Sequence, residues 1–268
     1  MLPNLIDLIR EDRVVLFVGA GVSRNLGLPS FSELINHLAN ELDYDSEIFN
    51  TYGDYLTLAE FYKLKTNGME SLRKWMVQAW NEVDIESSEI HRLIVELNFP
   101  IIYTTNYDGF LEQAYEHYGR DFSKVVNVGD LAKTEAGITQ IVKFHGDYEA
   151  SGSLVLTESE YFHRLDFESP LDIKFRADLL GKSVLFLGYS LTDINVRYML
   201  YKLNRQWEES GLGEEMPKSF IFLNRPNEAR EHVLRNRGVY PIVSELDDVA
   251  VGLESFLRTL LEAKAESS

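Results

Sequence analysis

Gly19-Ala20-Gly21, with Ser23 two residues on, ends the apolar run Val14–Val18 in a turn that carries almost no side chain. Strand, glycine turn and helix start is the arrangement that presents backbone N–H groups to a phosphate, and Ala20 and Gly21 let a pyrophosphate lie against the main chain. Thr104-x-Asn106-x-Asp108 follows a second apolar run, at 100–102. Asn106 can donate and accept hydrogen bonds, and Asp108 can accept from an amide or hydroxyl. Asn106 can equally shape a turn, and Asp108 can equally cap a helix over 109–118. His145, before Gly146, can take a proton near neutral pH, although a histidine at a strand end is also commonly a satisfied polar residue. Gly188 with Ser190, and Asn224, close two further apolar runs and could contact a phosphate or a ribose.

These residues need a scaffold that brings strand ends together. The runs Val14–Val18, Ile101–Thr104, 141–144, 183–188 and Ser219–Leu223 read as buried strands, with 125–128, 153–156 and Val239–Val243 as weaker candidates. Amphipathic patterns over 108–118, 191–207, 228–236 and 249–263 predict helices, and one more starts near Ser30 or Ser32. Strands alternating with helices predict an α/β fold: a Rossmann-like, mainly parallel sheet with helices on both faces. Residues 43–97 contain no convincing strand and predict about three helices, a small helical lobe inserted between 1–42 and 98–268. The last residues, 263–268, read as a frayed end.

Composition narrows the chemistry. Of 268 residues, 45% are hydrophobic and 26% charged, as in an ordinary globular protein. No cysteine is present, which removes disulfides, thiolate catalysis and cysteine-based zinc sites. With 26 basic and 43 acidic residues the net charge is −17, so direct nucleic-acid binding is not expected. No apolar stretch approaches the roughly 18 residues of a membrane span, and the N-terminus shows no signal-peptide pattern. No membrane association and a cytoplasmic location are therefore expected.

The order GAG-x-S, T-x-N-x-D, HG, G-x-S and strand-Asn resembles the sirtuin NAD-binding domain from about Val14 to Asn224, with Gly27-Leu28-Pro29 and Phe31 also matching. The resemblance implies NAD as ligand, with Gly19, Ala20, Gly21 and Ser23 holding the pyrophosphate and Thr104 and Phe31 among the binding positions. It implies Asn106 for the nicotinamide ribose or its water, Asp108 for the carboxamide, and His145 as general base. Gly188, Ser190 and Asn224 would line the adenosine half. The four-cysteine zinc ribbon of protein-deacylating sirtuins is missing, so no metal is expected, and Ser30-Phe31-Ser32 replaces their Asp-Phe-Arg. No clear groove for an acyl-lysine peptide is visible either.

The pattern is thus closer to the sirtuin-like domains of bacterial anti-phage defence, which implies an NAD+ hydrolase using water as acceptor. A non-catalytic nucleotide sensor, or an NAD-dependent deacylase or ADP-ribosyl transferase, are the alternatives. An NAD-depleting effector must be restrained, so the resemblance also implies a homo-oligomer or a regulatory partner such as a hexameric motor ATPase.

Overall fold

A computed structural model describes residues 2–80 and 83–266. Seven strands form one sheet: β1 (Val14–Val18), β2 (Ile101–Thr104), β3 (Phe122–Val125), β4 (Thr139–Lys143), β5 (Ser183–Leu187), β6 (Ser219–Leu223) and β7 (Val239–Val243). Their order is β3-β4-β2-β1-β5-β6-β7, and every pair is parallel. The expected Rossmann-like fold is the one observed. All residues of β1, β2, β5 and β6 are buried, which is why these strands read as continuous apolar runs instead of alternating ones.

Side-chain alternation splits β1 between two cores. Val14, Leu16 and Val18 face a layer that includes Leu5, Leu34, Leu38, Ile94, Phe110 and Leu257. Val15 and Phe17 face the other layer, with Phe175, Val196, Met199 and Leu234. Helices Leu2–Arg10, Phe31–Glu41, Glu89–Leu97, Phe110–His117 and Val249–Ala265 cover the first face. Helices Pro170–Gly181, Ile194–Glu209 and Glu228–Arg235 cover the second. No described helix is long and apolar enough to cross a membrane.

The chain leaves β1 towards β2 on one side and returns after β4 to lay β5 on the other. This reversal opens a crevice beyond the carboxyl ends of β1 and β5, the usual ligand position in such sheets.

Between β1 and β2 the chain after Glu41 is helical: Ser46–Phe49, Tyr55–Thr66, Glu70–Trp80 and Glu89–Leu97. Phe49, Leu58, Tyr62, Leu72, Met76 and Trp80 are buried and continue the first core layer. The last of these helices lies against Val249–Ala265 beside the sheet.

Local chemistry sets several boundaries. Helix Phe31–Glu41 starts at Ser30, whose Oγ accepts from Glu33 N at 3.2 Å while Glu33 Oε2 accepts from Ser30 N at 2.6 Å. Replacing Ser30 with alanine is expected to lower stability by about 1 kcal/mol, and Ser30→Thr to retain most of it; urea denaturation of the two variants checks this.

The strand expected at 125–128 lies three residues earlier. Asn127 Oδ1 accepts from Gly129 N at 2.8 Å and starts a helical turn there instead. The strand expected at 153–156 does not form. Its backbone docks on the β4 loop, with Val155 N donating to the His145 carbonyl at 2.9 Å. The C-terminal end expected to fray is helical to Ala265, and residues 267–268 lie outside the described residues.

Candidate active site

The ends of β1 and β5 are locked together. Gly19 N donates to the Leu187 carbonyl and Gly21 N to the Gly188 carbonyl, each at 2.9 Å. A Cβ at Gly19 would lie 2.6 Å from the Gly188 carbonyl oxygen. At Gly188, where φ is +58°, a Cβ would lie 2.4 Å from Val22 N. These glycines are therefore required by the close approach of two strand ends. Two amides that the sequence offers to a phosphate are engaged by carbonyls of β5 and its loop.

Ser23 and Thr104, both buried, organise the neighbouring loop. Asn106 Nδ2 donates to Ser23 Oγ at 3.1 Å, and Asn106 N donates to Thr104 Oγ1 at 3.0 Å. The carboxamide is thus held between the β1 and β2 ends. Asp108 Oδ1 accepts from Phe110 N at 3.2 Å, so it caps the following helix. Burial pushes its carboxyl up, against the pull of Lys143. Lys143, fully buried, donates from Nζ to the Asp108 carbonyl and lies 3.4 Å from Glu112 and 3.8 Å from Asp147.

His145 follows β4 and is 2% exposed. Burial holds its imidazole at a pKa of about 4, so the ring is neutral at physiological pH and free to accept a proton. Nδ1 is 3.3 Å from the Tyr161 hydroxyl, and Nε2 is 3.1 Å from Asp193 Oδ2. Gly146 takes a φ of +90°, and a Cβ there would meet the Ser153 carbonyl oxygen at 2.1 Å. The turn beside His145 is possible because position 146 has no side chain. Arg164 steadies the strand end: it donates to the Phe144 carbonyl, stacks 3.9 Å from the Phe144 ring centroid and pairs with buried Asp172.

On the other side of β1, a cavity of about 580 Å³ is lined by Gly21, Gly188, Ser190, Asn224, Arg225 and Arg230, among others. Ser190 Oγ shares a hydrogen bond with Thr192 Oγ1 at 2.8 Å, and its carbonyl accepts from Arg230 Nη2 at 2.6 Å. The expected adenosine-side residues Gly188, Ser190 and Asn224 therefore share one cavity with Gly21. Phe31 does not line this cavity; it is exposed and packs edge-on to Tyr55 at 5.3 Å between ring centroids.

Sequence reasoning assigned no role to Tyr161, Arg164, Lys143, Asp193, Arg225 or Arg230. Asp193 falls inside the helix pattern over 191–207, and Arg225 adjoins Asn224, but nothing local pointed to Tyr161. Together the groups can take a proton at His145, hold a hydroxyl or water at Asn106, and meet an amide at Asp108.

Comparison with known families matches residues 100–242 to the SIR2-like domain. The NAD(+) hydrolase ThsA of Enterococcus faecium is 32% identical over 203 residues, which is 75% of this chain and 42% of that protein. The NAD(+) hydrolase ThsA of Acinetobacter baumannii is 28% identical over 214 residues, covering 78% of this chain and 43% of that one. Defense-associated sirtuin 2 of Bacillus subtilis is 27% identical over 240 residues, 86% of this chain and 23% of that protein. The chain thus spans less than half the length of these curated relatives. A crystal structure of Sir2 with an inhibitor aligns over 97% of both chains at 14% identity, with a TM-score of 0.45. The family match takes in more than half of the sequence and includes Thr104, Asn106, Asp108, His145, Gly188, Ser190 and Asn224: the chain belongs to the SIR2-like domain family.

Proposed function

We propose that this chain is an NAD+ hydrolase that cleaves the nicotinamide–ribose bond with water as acceptor and acts in bacterial anti-phage defence. The observation that carries the reading is the neutral, buried His145 beyond the same edge of the sheet as the Ser23–Asn106 pair. Relatives named as NAD(+) hydrolases, aligned over about three quarters of the chain, support it.

Gly19, Ala20, Gly21 and Ser23 line the pyrophosphate, Gly188, Ser190 and Asn224 the adenosine half, and Thr104 and Phe31 complete the binding positions. Asp108 meets the nicotinamide carboxamide. Bond breaking passes through an oxocarbenium-like transition state, so the protein's task is to hold the ribose and deliver water to the opposite face. Asn106 holds that water. His145 takes its proton as the oxygen bonds to the ribose carbon, and nicotinamide leaves with the bonding pair.

Residues 43–97 serve as the inserted lobe in this reading. The protein works in the cytoplasm as a homo-oligomer, restrained by its own assembly or by a partner such as a motor ATPase. Uncontrolled NAD+ loss would kill the host, which supports that restraint.

Incubating the purified chain with NAD+ should release nicotinamide and ADP-ribose in equal amounts, and Asn106→Ala should lower the rate by at least about 100-fold. Equal release by the variant would overturn the assignment. Saturable NAD+ binding with no release would favour a nucleotide sensor.

A further inference from the structure

His145 touches the protein through both ring nitrogens, and the two partners differ in kind. On the Nε2 side stands the Asp193 carboxylate, with Oδ2 at 3.1 Å and its side chain 8% exposed. On the Nδ1 side stands the Tyr161 hydroxyl, whose proton burial and nearby carboxylates hold firmly. Asp193 is itself immobilised: Oδ1 accepts from Asn195 N at 2.8 Å and from Val196 N at 3.2 Å, capping helix Ile194–Glu209. That leaves Oδ2 facing His145, with the buried Tyr189 hydroxyl as its other neighbour. Nε2 is buried and has no aligned hydrogen-bond partner among the described residues, so the nearby carboxylate is the group placed to receive its hydrogen.

We propose that Asp193 is the positioning residue of His145, holding the hydrogen on Nε2 and leaving Nδ1, on the Tyr161 side, as the atom that takes the proton. The inference rests on the hydrolase reading for its chemistry and on the Asp193–His145 contact for its geometry. The long Tyr161 contact is the one a water or ribose hydroxyl displaces when substrate binds. The O–H bond of the attacking water then breaks, its electrons form the bond to the ribose carbon, and the proton moves to Nδ1. The Asp193 carboxylate stabilises the imidazolium until the proton passes to solvent. Contacts of this type are commonly loose without substrate and tighten in the complex. A carboxylate that fixes the tautomer and orientation of a base is a recurrent device on unrelated folds.

The charged and titratable groups around His145 and its carboxylate are Asp193 and Tyr189 after β5, with Tyr161, Arg164 and Asp172 from the segments after β4. Asp193 favours the imidazolium and Arg164 opposes it. Asp193→Asn keeps an acceptor for the helix cap and removes the charge. It should lower kcat for nicotinamide release by about 100- to 10⁴-fold, leave KM within about twofold, and move the acidic limb of the pH–rate profile to lower pH. Asp193→Ser, which keeps a cap but cannot reach His145, should behave likewise.

Nitrogen-15 NMR of His145 gives a readout independent of turnover. The parent should show the Nε2–H tautomer, and Asp193→Asn a mixture. An Nδ1–H tautomer in the parent, or an Asp193→Asn variant with parental kcat and an unmoved acidic limb, would overturn the proposal. Absence of turnover in the parent would count against the hydrolase reading, and the tautomer would still decide the role of Asp193.

Discussion

His145→Ala is expected to reduce nicotinamide release by about 100- to 10⁴-fold, with the sheet intact by circular dichroism. The ring is a base at neutral pH because burial opposes its charged form, holding its pKa at about 4. The parental rate should therefore stay flat well below pH 6 and fall only as the imidazole protonates.

The same burial has a consequence for stability. An unfolded histidine takes up its proton near pH 6.5, whereas the folded one resists until about pH 4. Between those values the unfolded chain binds more protons, so stability falls as pH falls. His91, fully buried and also held at about 4, adds to the slope. Urea midpoints at pH 7 and pH 5 should differ more in the parent than in His145→Ala. A variant with parental activity would remove His145 from the reaction.

Lys143→Met is expected to cost about 3–5 kcal/mol, the largest stability loss among the changes considered. Its ammonium is fully buried at the end of β4, beside Glu112 and Asp147. Asp147 keeps a second cation, Lys124, at 2.6 Å. Glu112 keeps Lys124 only at 3.9 Å, and both its carboxylate oxygens are buried without a hydrogen bond among the described residues. Burial already pushes the Glu112 carboxyl up against the pull of Lys143, so without Lys143 its ionisation becomes costlier still.

The penalty should consequently shrink as pH falls, because a carboxyl pushed up by burial takes its proton more readily, and Glu112→Gln in the same chain should recover part of it. Lys143 also holds the Asp108 carbonyl, so release of nicotinamide should fall in the variant even where it remains folded. A loss below about 1 kcal/mol by chemical denaturation would show that the cluster is solvated after all.

The sheet was legible because its central strands are buried on both faces and so carry uninterrupted β-branched and aromatic runs. Val14–Val18, Ile101–Thr104 and Ser219–Leu223 have the bounds their composition suggests. The cap at Ser30 was legible for a different reason, since all its atoms lie within four residues. Ser153–Leu156 was misleading: Leu154 and Leu156 are buried as their alternation implies, yet the backbone partner is the His145 loop and not a strand. Alternation reports burial and leaves the partner open.

Gly19, Gly21 and Gly188 stood out as positions without side chains, but the reason lies in an encounter between strand ends far apart in sequence. The contact of Asp193 with His145 is hidden in the same way. It exists because the β5 loop reaches across to β4, over ground that no local spacing describes.

Order of synthesis gives the central strand a particular burden. β1 is made before either of its neighbours, since Val15 pairs with Ile101 on one side and Val14 with Ser183 on the other. Until β5 exists, five consecutive apolar residues have at least one edge without a strand partner. Closing such long loops before any pairing is repaid makes folding of this topology slow, and the nascent chain exposes an aggregation-prone strand throughout. A fragment ending before Ser183 would keep one edge of β1 permanently open. Truncation from the C-terminal side therefore removes more than the residues deleted, because β1 is completed only when β5 has been made.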